Sequence, residues 1–454
     1  MLFRPGQLMV GGSSIGGAVS GAVSSAQTLV DTYSSDTQGM ALMFSGAMPS
    51  MYIKDTTTPA NDNDTLFTDF DAFNSLLTFT SPSPKIVRQA DGDWKYSAHN
   101  LYLNSASPAN QAVTVVSGLS YRLAVTGTVS VTLSGASTGT ITAAADHEFT
   151  AASGTLTFGS TSGSGTVHLH LAPAVETYLE TGGSARYALP ISYDASGVAE
   201  GLLVEPAATN LFLNSRSAAT QDITVSATAY TLSFFGTGSI TLSGTHSETL
   251  NGTGANDRVS TTFTPSAGTL TCTASGTIDF VQVETGSVAT SPIVTAGSTV
   301  TRQADQISLS DSAFPSSTTA HAIYGKMEIN GHVAGHLLSL TGGTNRVLEL
   351  YDSSGDGNLD IYGCNGTFIR INFPAIAVPE NTEFSWASAC AANDANQALN
   401  GTDGAQDTSV TVPAGAPDLH IGKYSSGQNS NLLIKEIAYW PERISNADLQ
   451  AMTS

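Results

Sequence analysis

This 454-residue chain is short of charge, and of basic residues most of all. Only 12% of its residues are charged, against roughly 25% in an ordinary globular domain, so hydroxyls, amides and glycine must carry its surface. Sixteen Lys and Arg face 37 Asp and Glu, a formal net charge of −21, and no Lys/Arg cluster occurs. Without a basic patch there are no phosphate counterions to release, which excludes nucleic acid as a partner and disfavours an anionic membrane surface. The three cysteines, Cys272, Cys364 and Cys390, are odd in number, widely spaced and outside any CxxC pattern. That argues against a disulfide framework and a cysteine zinc site, and points to a reducing compartment. No stretch approaches the ~20 apolar residues of a membrane-spanning helix. The first residues, MLFRPGQLMVGGSSIGGAVSGAVSSAQ, include Arg4, but GGSS and GG break the apolar run that a signal peptide needs.

What the chain does have is 41% hydrophobic residues with frequent β-branched positions, enough to fold despite its abundance of Ser, Thr and Gly. Residues 1–61 show no clean period and read as a partly extended N-terminal segment. Residues 62–95 read as a linker, in which Phe67, Phe70, Phe73 and Leu77 fall at helical spacing and predict a short helix. A repeat follows. NLYLNS (100–105), Gln111, SGTLTF (153–158) and ETG (180–182) are answered in order by NLFLNS (210–215), Gln221, AGTLTC (267–272) and ETG (284–286).

Inside each copy, apolar residues alternate with Thr and Ser between Gly-rich turns, the pattern of antiparallel strands. Units of this size are tandem domains rather than solenoid repeats. The reading is therefore two β-sandwiches, at 96–184 and 210–306, with NLYLNS and NLFLNS as their first strands and 185–209 as the connector. From 307 to 454 the texture changes. AIYGKMEINGHVAGHLLSL alternates on both sides of Asn330-Gly331, a hairpin signal, and RVLELYDSSGDGNLDIYG predicts a second hairpin. The chain ends in a short helix with Ser445 as its N-cap and Ile444 stapled onto Leu449.

Two resemblances follow. WASACAANDANQALNGT, LHIGKY and IKEIAYWPERISNADLQ resemble, in that order, the closing part of concanavalin A-like (laminin-G-like) jelly rolls. This implies an all-β protein: two tandem antiparallel β-sandwiches followed by a jelly roll. ARYALPISYDASGVAEGLLVEPAATNLFLNS (185–215) and VQVETGSVATSPIVTAGSTVTRQAD (281–305) resemble segments of tailed-bacteriophage virion appendage proteins, with Ala208 where those often carry a basic residue. The fragment RQAD recurs at 88–91. This second resemblance implies a virion-surface protein, a fibre or spike of head or tail. It would attach to other virion proteins through its N-terminal segment, commonly as a homotrimer, and display a lectin-like domain to a host-surface glycan. A capsid decoration or head-fibre protein with no host-binding role, and a glycan depolymerase, are the alternatives.

Candidate chemistry is sparse. Gly12-Ser-Ser-Ile-Gly16 matches a nucleophile elbow formally, but lies in Gly/Ser low complexity without the strand and helix that the motif requires. His332 and His336 stand four apart in a strand-like pattern, without the Glu of a zincin. His168 and His170 put two rings on one strand face. Asp352, Asp356, Asn358 and Asp360 resemble a calcium loop, although Gly363 stands where the bidentate Glu belongs; the other reading is a polar hairpin turn. Trp386, Tyr439 and Trp440 are the aromatics that a sugar-stacking site would use, unless they form core. No catalytic residue is expected.

Overall fold

A computed structural model describes residues 29–30, 32, 38–45, 50–55, 65–67, 76–79, 83–142, 144–314, 317–342, 345–352, 359–363, 378–412, 418–423 and 430–454. The fold is all-β, with several antiparallel sheets. Thr- and Val-rich stretches between glycine turns supply the strands, because branched side chains pack on a pleated face while glycine takes the positive φ of the turns.

The repeat is visible strand by strand. In the first copy, Gln111–Thr114, Thr155–Ser162, Ser130–Gly135 and Gly139–Thr142 form one sheet; Asp146–Thr150, Ser120–Val125 and Val167–Leu171 form the other. In the second copy, Gln221–Val225, Gly268–Ser275, Ser239–Gly244 and Glu248–Asn251 face Gly254–Phe263, Tyr230–Gly236 and Ile278–Thr285 in the same order. Each core is built from the alternate apolar residues, for example Tyr121, Leu123 and Val125 against Val131, Leu133 and Phe158.

NLYLNS and NLFLNS are turns rather than first strands. Only Asn100 and Asn210 close a strand (His99–Asn100 and Ala208–Asn210), and Asn104 and Asn214 take φ values of 52° and 53°. The phrase recurs because its side chains replace backbone partners. The Asn100 amide donates to the carbonyls of Val167 (3.1 Å) and Leu179 (2.9 Å), and its oxygen accepts from the N–H groups of Tyr102 and Leu169 (both 3.1 Å). Asn210 repeats all four bonds, to Val281 (2.9 Å), Ile293 (2.8 Å), Phe212 (3.0 Å) and Val283 (3.2 Å). Gln111 and Gln221 bind both backbone groups of Leu103 and Leu213. Ser105 is clasped by Thr181, and Ser215 by Thr295. The structural partner of Thr181 is thus Thr295, so the two ETG strings are not equivalent. Glu284 lies buried inside a strand, while Glu180 is exposed.

The C-terminal stretch does form two sheets, but other parts of the chain complete them. One sheet runs Thr65–Phe67, Ser50–Asp55, Gln38–Met43, Leu432–Trp440, Ala320–Ile329, Glu383–Ala391, Asp394–Leu399 and Thr402–Asp403. The long strand Leu432–Trp440 also pairs with Ala199–Val204 from the connector, through Leu202↔Ile434, Leu203↔Leu433 and Val204↔Leu432. The facing sheet runs Leu359–Gly363, Asn345–Asp352, Gly335–Gly342, Asp418–Ile421, Ile307–Leu309 and Thr78–Phe79. Thr65–Phe67 is therefore a strand inside the stretch expected to be helical, and 68–75 lie outside the described residues. Asn330-Gly331 is not a hairpin turn: Ala320–Ile329 and Gly335–Gly342 lie in different sheets, and the loop crosses between them. The second hairpin forms, as Asn345–Asp352 against Leu359–Gly363. The helix Asn446–Met452 starts as expected, with the Ser445 hydroxyl accepting from the Asp448 N–H at 3.2 Å and Ile444 and Leu449 buried together. Cys390 is disulfide-bonded, contrary to the expectation of reduced thiols, because sequence spacing does not show which side chains the fold brings into reach. Cys272 is a buried free thiol, pushed up to about 12 by burial and by Asp222.

A buried ionic knot closes the joint between these parts. Lys85 precedes the first sandwich, Glu205 follows the connector strand, and Arg302 and Asp305 leave the second sandwich; none is more than 3% exposed. The Lys85 ammonium contacts Asp305 directly, lies 3.1 Å from Glu205 Oε2 and donates to the Leu203 carbonyl at 3.2 Å. Arg302 Nη2 lies 3.5 Å from Glu205 Oε2 and donates to the Pro206 carbonyl at 2.9 Å. Both oxygens of Glu205 accept from Ser291, at 2.6 Å each. Burial alone would raise the Glu205 pKa, but Arg302, Lys85 and Ser291 outweigh it and hold the carboxyl at about 2.

Two outcomes follow from these contacts. Asn210→Ala would leave buried carbonyls and N–H groups unpaired, and should cost on the order of 3 kcal/mol in equilibrium denaturation, with Asn100→Ala behaving alike. Because the folded value of Glu205 lies below its ordinary 4.5, its contribution is complete above pH 4.5 and is lost as pH falls toward 2. An acid titration of stability should lose that part of its slope in Glu205→Gln.

Candidate functional site

The aromatics picked out from the sequence are core. Trp386 and Tyr439 point between the two C-terminal sheets, and Trp440, one residue on, points to the opposite face beneath the terminal helix. Their exposures are 1%, 0% and 0%, so none offers a ring face to a sugar. The Tyr439 hydroxyl accepts from the Ser317 N–H (3.0 Å), and Trp440 Nε1 donates to the Val30 carbonyl (3.3 Å). Large rings at strand positions fill the space between layers, and here alternation buries both faces.

Of the calcium candidates, Asp352 is buried, with Oδ2 3.5 Å from His332 Nδ1. Asp356 and Asn358, and the side chain of Asp360, lie outside the described residues. Among the described residues no group of three or more His, Cys, Asp or Glu could hold a metal ion. His336 is buried on its strand, and His168 and His170 are buried on the face of Val167–Leu171 turned away from the core of the first sandwich, which Val167, Leu169 and Leu171 join.

The cleft that the sequence did not reveal lies where the two sandwiches meet. A cavity of about 490 Å³ is lined by Tyr96, Leu101, Leu103, Leu119 and Tyr121 from the first, by Tyr187 from the connector, and by Ile293, Val294, Val300 and Thr301 from the second. A neighbouring cavity of about 260 Å³ shares Tyr96, Leu119, Leu171 and Val294 and adds Trp94, Arg216 and Phe280. Strand ends position these groups. Trp94–Tyr96 pairs with Ile86–Arg88, and Arg186–Tyr187 pairs with His99–Asn100. The gap between the sandwiches is held by Gly118, at φ +84°, where a Cβ would stand 2.5 Å from the Ala296 Cβ.

The chemistry of the cleft is aromatic and mostly uncharged. Burial raises the phenols of Tyr96 and Tyr121 and pushes Tyr187 up to about 12, with Tyr121 adding to the last, so all three hydroxyls stay protonated. In the second cavity Arg216 is held by Asp279, through 2.9 and 3.2 Å bonds, and lies 4.5 Å from the Phe280 ring centre. Phe280 sits at φ 48°, a conformation unusual for a bulky residue, and packs on Phe235, which packs on Trp94. Arg302 borders the larger cavity, but its guanidinium nitrogens Nε and Nη1 are sealed from solvent.

No family model and no curated protein matches the chain. Parts of it are similar to solved structures. One is "Ruminococcus gnavus IT-sialidase CBM40 bound to alpha2,3 sialyllactose", at 16% identity and a TM-score of 0.27, over 30% of this chain and 84% of that one. Another is domain 4 of AbnA, a GH43 extracellular arabinanase from Geobacillus stearothermophilus, in complex with arabinotriose, at 13% identity and a TM-score of 0.28, over 33% and 73%. A third is Trypanosoma rangeli sialidase, at 12% identity and a TM-score of 0.27, over 32% of this chain and 25% of that structure. At these TM-scores nothing about ligand or activity follows for this chain.

The burial pattern yields a fluorescence prediction. Of the three tryptophans only Trp94 is partly open, beside the smaller cavity. Iodide should quench a single tryptophan population, and Trp94→Phe should remove all quenching. Quenching that survives Trp94→Phe would place Trp386 or Trp440 at the surface.

Proposed function

We propose that this chain is a non-enzymatic structural and adhesive protein of a phage particle, a fibre or spike, and that it holds a host-surface saccharide in the cleft between its two sandwiches. The observation that carries the reading is the lining of the 490 Å³ cavity: the half-buried Tyr187 over an apolar floor, backed by the buried Tyr96 and Tyr121, within the usual size range of ligand pockets. The Tyr187 ring face matches the C–H face of a pyranose, and its protonated phenol can donate to and accept from sugar hydroxyls. The low surface charge and the hydroxyl-rich strands suit an exposed, rigid particle component. Attachment to the particle is assigned to residues before Leu29, because Val30 is buried against Trp440 and the strand Gln38–Met43 is committed to the sheet through Leu432–Trp440. A single shallow site of this kind binds weakly, so adhesion would come from several copies acting together, in a trimer for instance.

Binding of the full chain to an array of bacterial surface polysaccharides tests the adhesive half. Tyr187→Ala should weaken it by about tenfold, equivalent to about 1.4 kcal/mol of lost contact, with the fold retained. Binding unaffected by Tyr187→Ala and by the cavity-filling Val300→Trp would remove the cleft from the account. Immunogold labelling that leaves particles unmarked would remove the virion role, and new reducing ends on a bound polysaccharide would replace adhesion with hydrolysis.

A further inference from the structure

The first sandwich buries three histidines that the second does not have. Asn100 and Asn210 bind matching backbone groups, Val167 and Leu169 in one copy and Val281 and Val283 in the other. His168 therefore corresponds to Gln282, His170 to Glu284 and His99 to Thr209. The three histidines are 6%, 1% and 0% exposed in the order 168, 170, 99. The His168 and His170 ring centres lie 4.5 Å apart, and those of His99 and His170 5.9 Å apart.

Hydrogen bonds fix His99 as neutral and make one ring nitrogen of His168 and of His170 a donor. His99 Nδ1 lies 2.8 Å from the Ser97 carbonyl, which can only accept, while Nε2 receives the Leu171 N–H at 2.9 Å. Nε2 of His99 must therefore carry no proton. His168 Nε2 donates to the His99 carbonyl (2.9 Å), and His170 Nδ1 to the Leu171 carbonyl (2.8 Å). A proton added to His99 would meet the Leu171 N–H head on, and protons added to His168 and His170 would put like charges on adjacent rings. The groups facing them from neighbouring elements are the phenols of Tyr96, Tyr178 and Tyr187, and Arg122 on the paired strand with its partners Asp146 and Glu176. The two carboxylates favour a charged His170 and Arg122 opposes it.

This cluster backs the wall of the larger cavity. The His99 ring stacks on Tyr187 at 6.2 Å and meets Tyr96 edge-on at 5.9 Å; both tyrosines and Leu171 line the cavity. We propose that acidification opens the inter-sandwich cavity by protonating these three histidines, leaving the second sandwich closed. The consequence for a bound saccharide, its release in acid, rests on the function proposed above.

The direction is consistent with their titration. Burial lowers all three from 6.5, reinforced by the neighbouring rings at His99 and His168 and by Arg122 at His170; it brings His168 to about 4 and His99 to about 3. Their contribution is therefore complete above pH 6.5 and is lost as pH falls toward those values. In the second sandwich, burial raises Glu284 above 4.5, which has the opposite sign. Glu205 enters only below 4.5, so about pH 5 isolates the histidines from it.

Hydrogen exchange of the full chain at pH 7 and about pH 5, corrected for intrinsic rates and without any saccharide, tests the switch. The amides of Leu101, Leu169 and Leu171 should gain about tenfold in exchange relative to Leu211 and Val283, the tenfold that one pKa unit represents. His168→Gln, which copies the residue of the second sandwich, should reduce that gain, and H99Q/H168Q/H170Q should abolish it. Equal responses in the two sandwiches, or a gain undiminished in His168→Gln, would overturn the proposal. Since no saccharide is present, this result stands apart from whether the cleft binds one.

Discussion

Four charges that cannot be left unpaired organise this molecule. Lys85, Glu205, Arg302 and Asp305 are sealed from water, and removing a charge from water costs several kcal/mol unless a partner is fixed in place. The partners come from three points of the chain: before the first sandwich, between the two, and after the second. Satisfying them brings the three points together. The Leu202–Val204 stretch is then held where it can pair with Leu432–Ile434, so the joint between the sandwiches also becomes part of the C-terminal sheet. The N-terminal strand Gln38–Met43 occupies the rest of the same edge. One long strand, Leu432–Trp440, thus gathers strands from distant parts of the sequence.

Much of this was legible in the sequence. The alternation of Thr and Ser with apolar residues predicted the strands, and the recurrence of NLxLNS with Gln111 and Gln221 predicted two related units. The second unit's lead-in, GLLVEP, read as a connector, and the structure gives it a pairing partner and Glu205 its ionic one. What the sequence could not show was tertiary. The Asn of the repeated phrase looked like the start of a strand, but its amide acts as a substitute backbone, a role set by groups some 70 positions away. Asn330-Gly331 has the composition of a tight hairpin, yet the strands it joins belong to different layers. Trp386, Tyr439 and Trp440 carried no mark in the sequence distinguishing core from surface. The cleft was invisible because its walls come from two units that are far apart in sequence and meet only in the fold.

The two sandwiches share a topology and differ in what fills equivalent positions. Where the second uses Gln282 and Glu284 to bind the Thr290–Ser291 backbone and the Thr290 hydroxyl, the first uses histidines whose rings donate to backbone carbonyls. On the proposal above, the same scaffold position responds to acid with opposite sign in the two copies. The copy with the histidines contributes Tyr96 and Tyr121 to the cleft. Adhesion and its control, as proposed, would then be separate properties of neighbouring side chains on one frame, with the C-terminal sheets bracing the joint through Leu432–Ile434.

The central claim is that Glu205 couples distant segments rather than stabilising its own surroundings. Hydrogen exchange of Glu205→Gln at neutral pH tests it most directly. The account predicts that protection falls together in Ile86–Arg88, Leu202–Val204, Val300–Arg302 and the facing Leu432–Ile434. Loss confined to the residues next to position 205, with the other segments as protected as before, would contradict it.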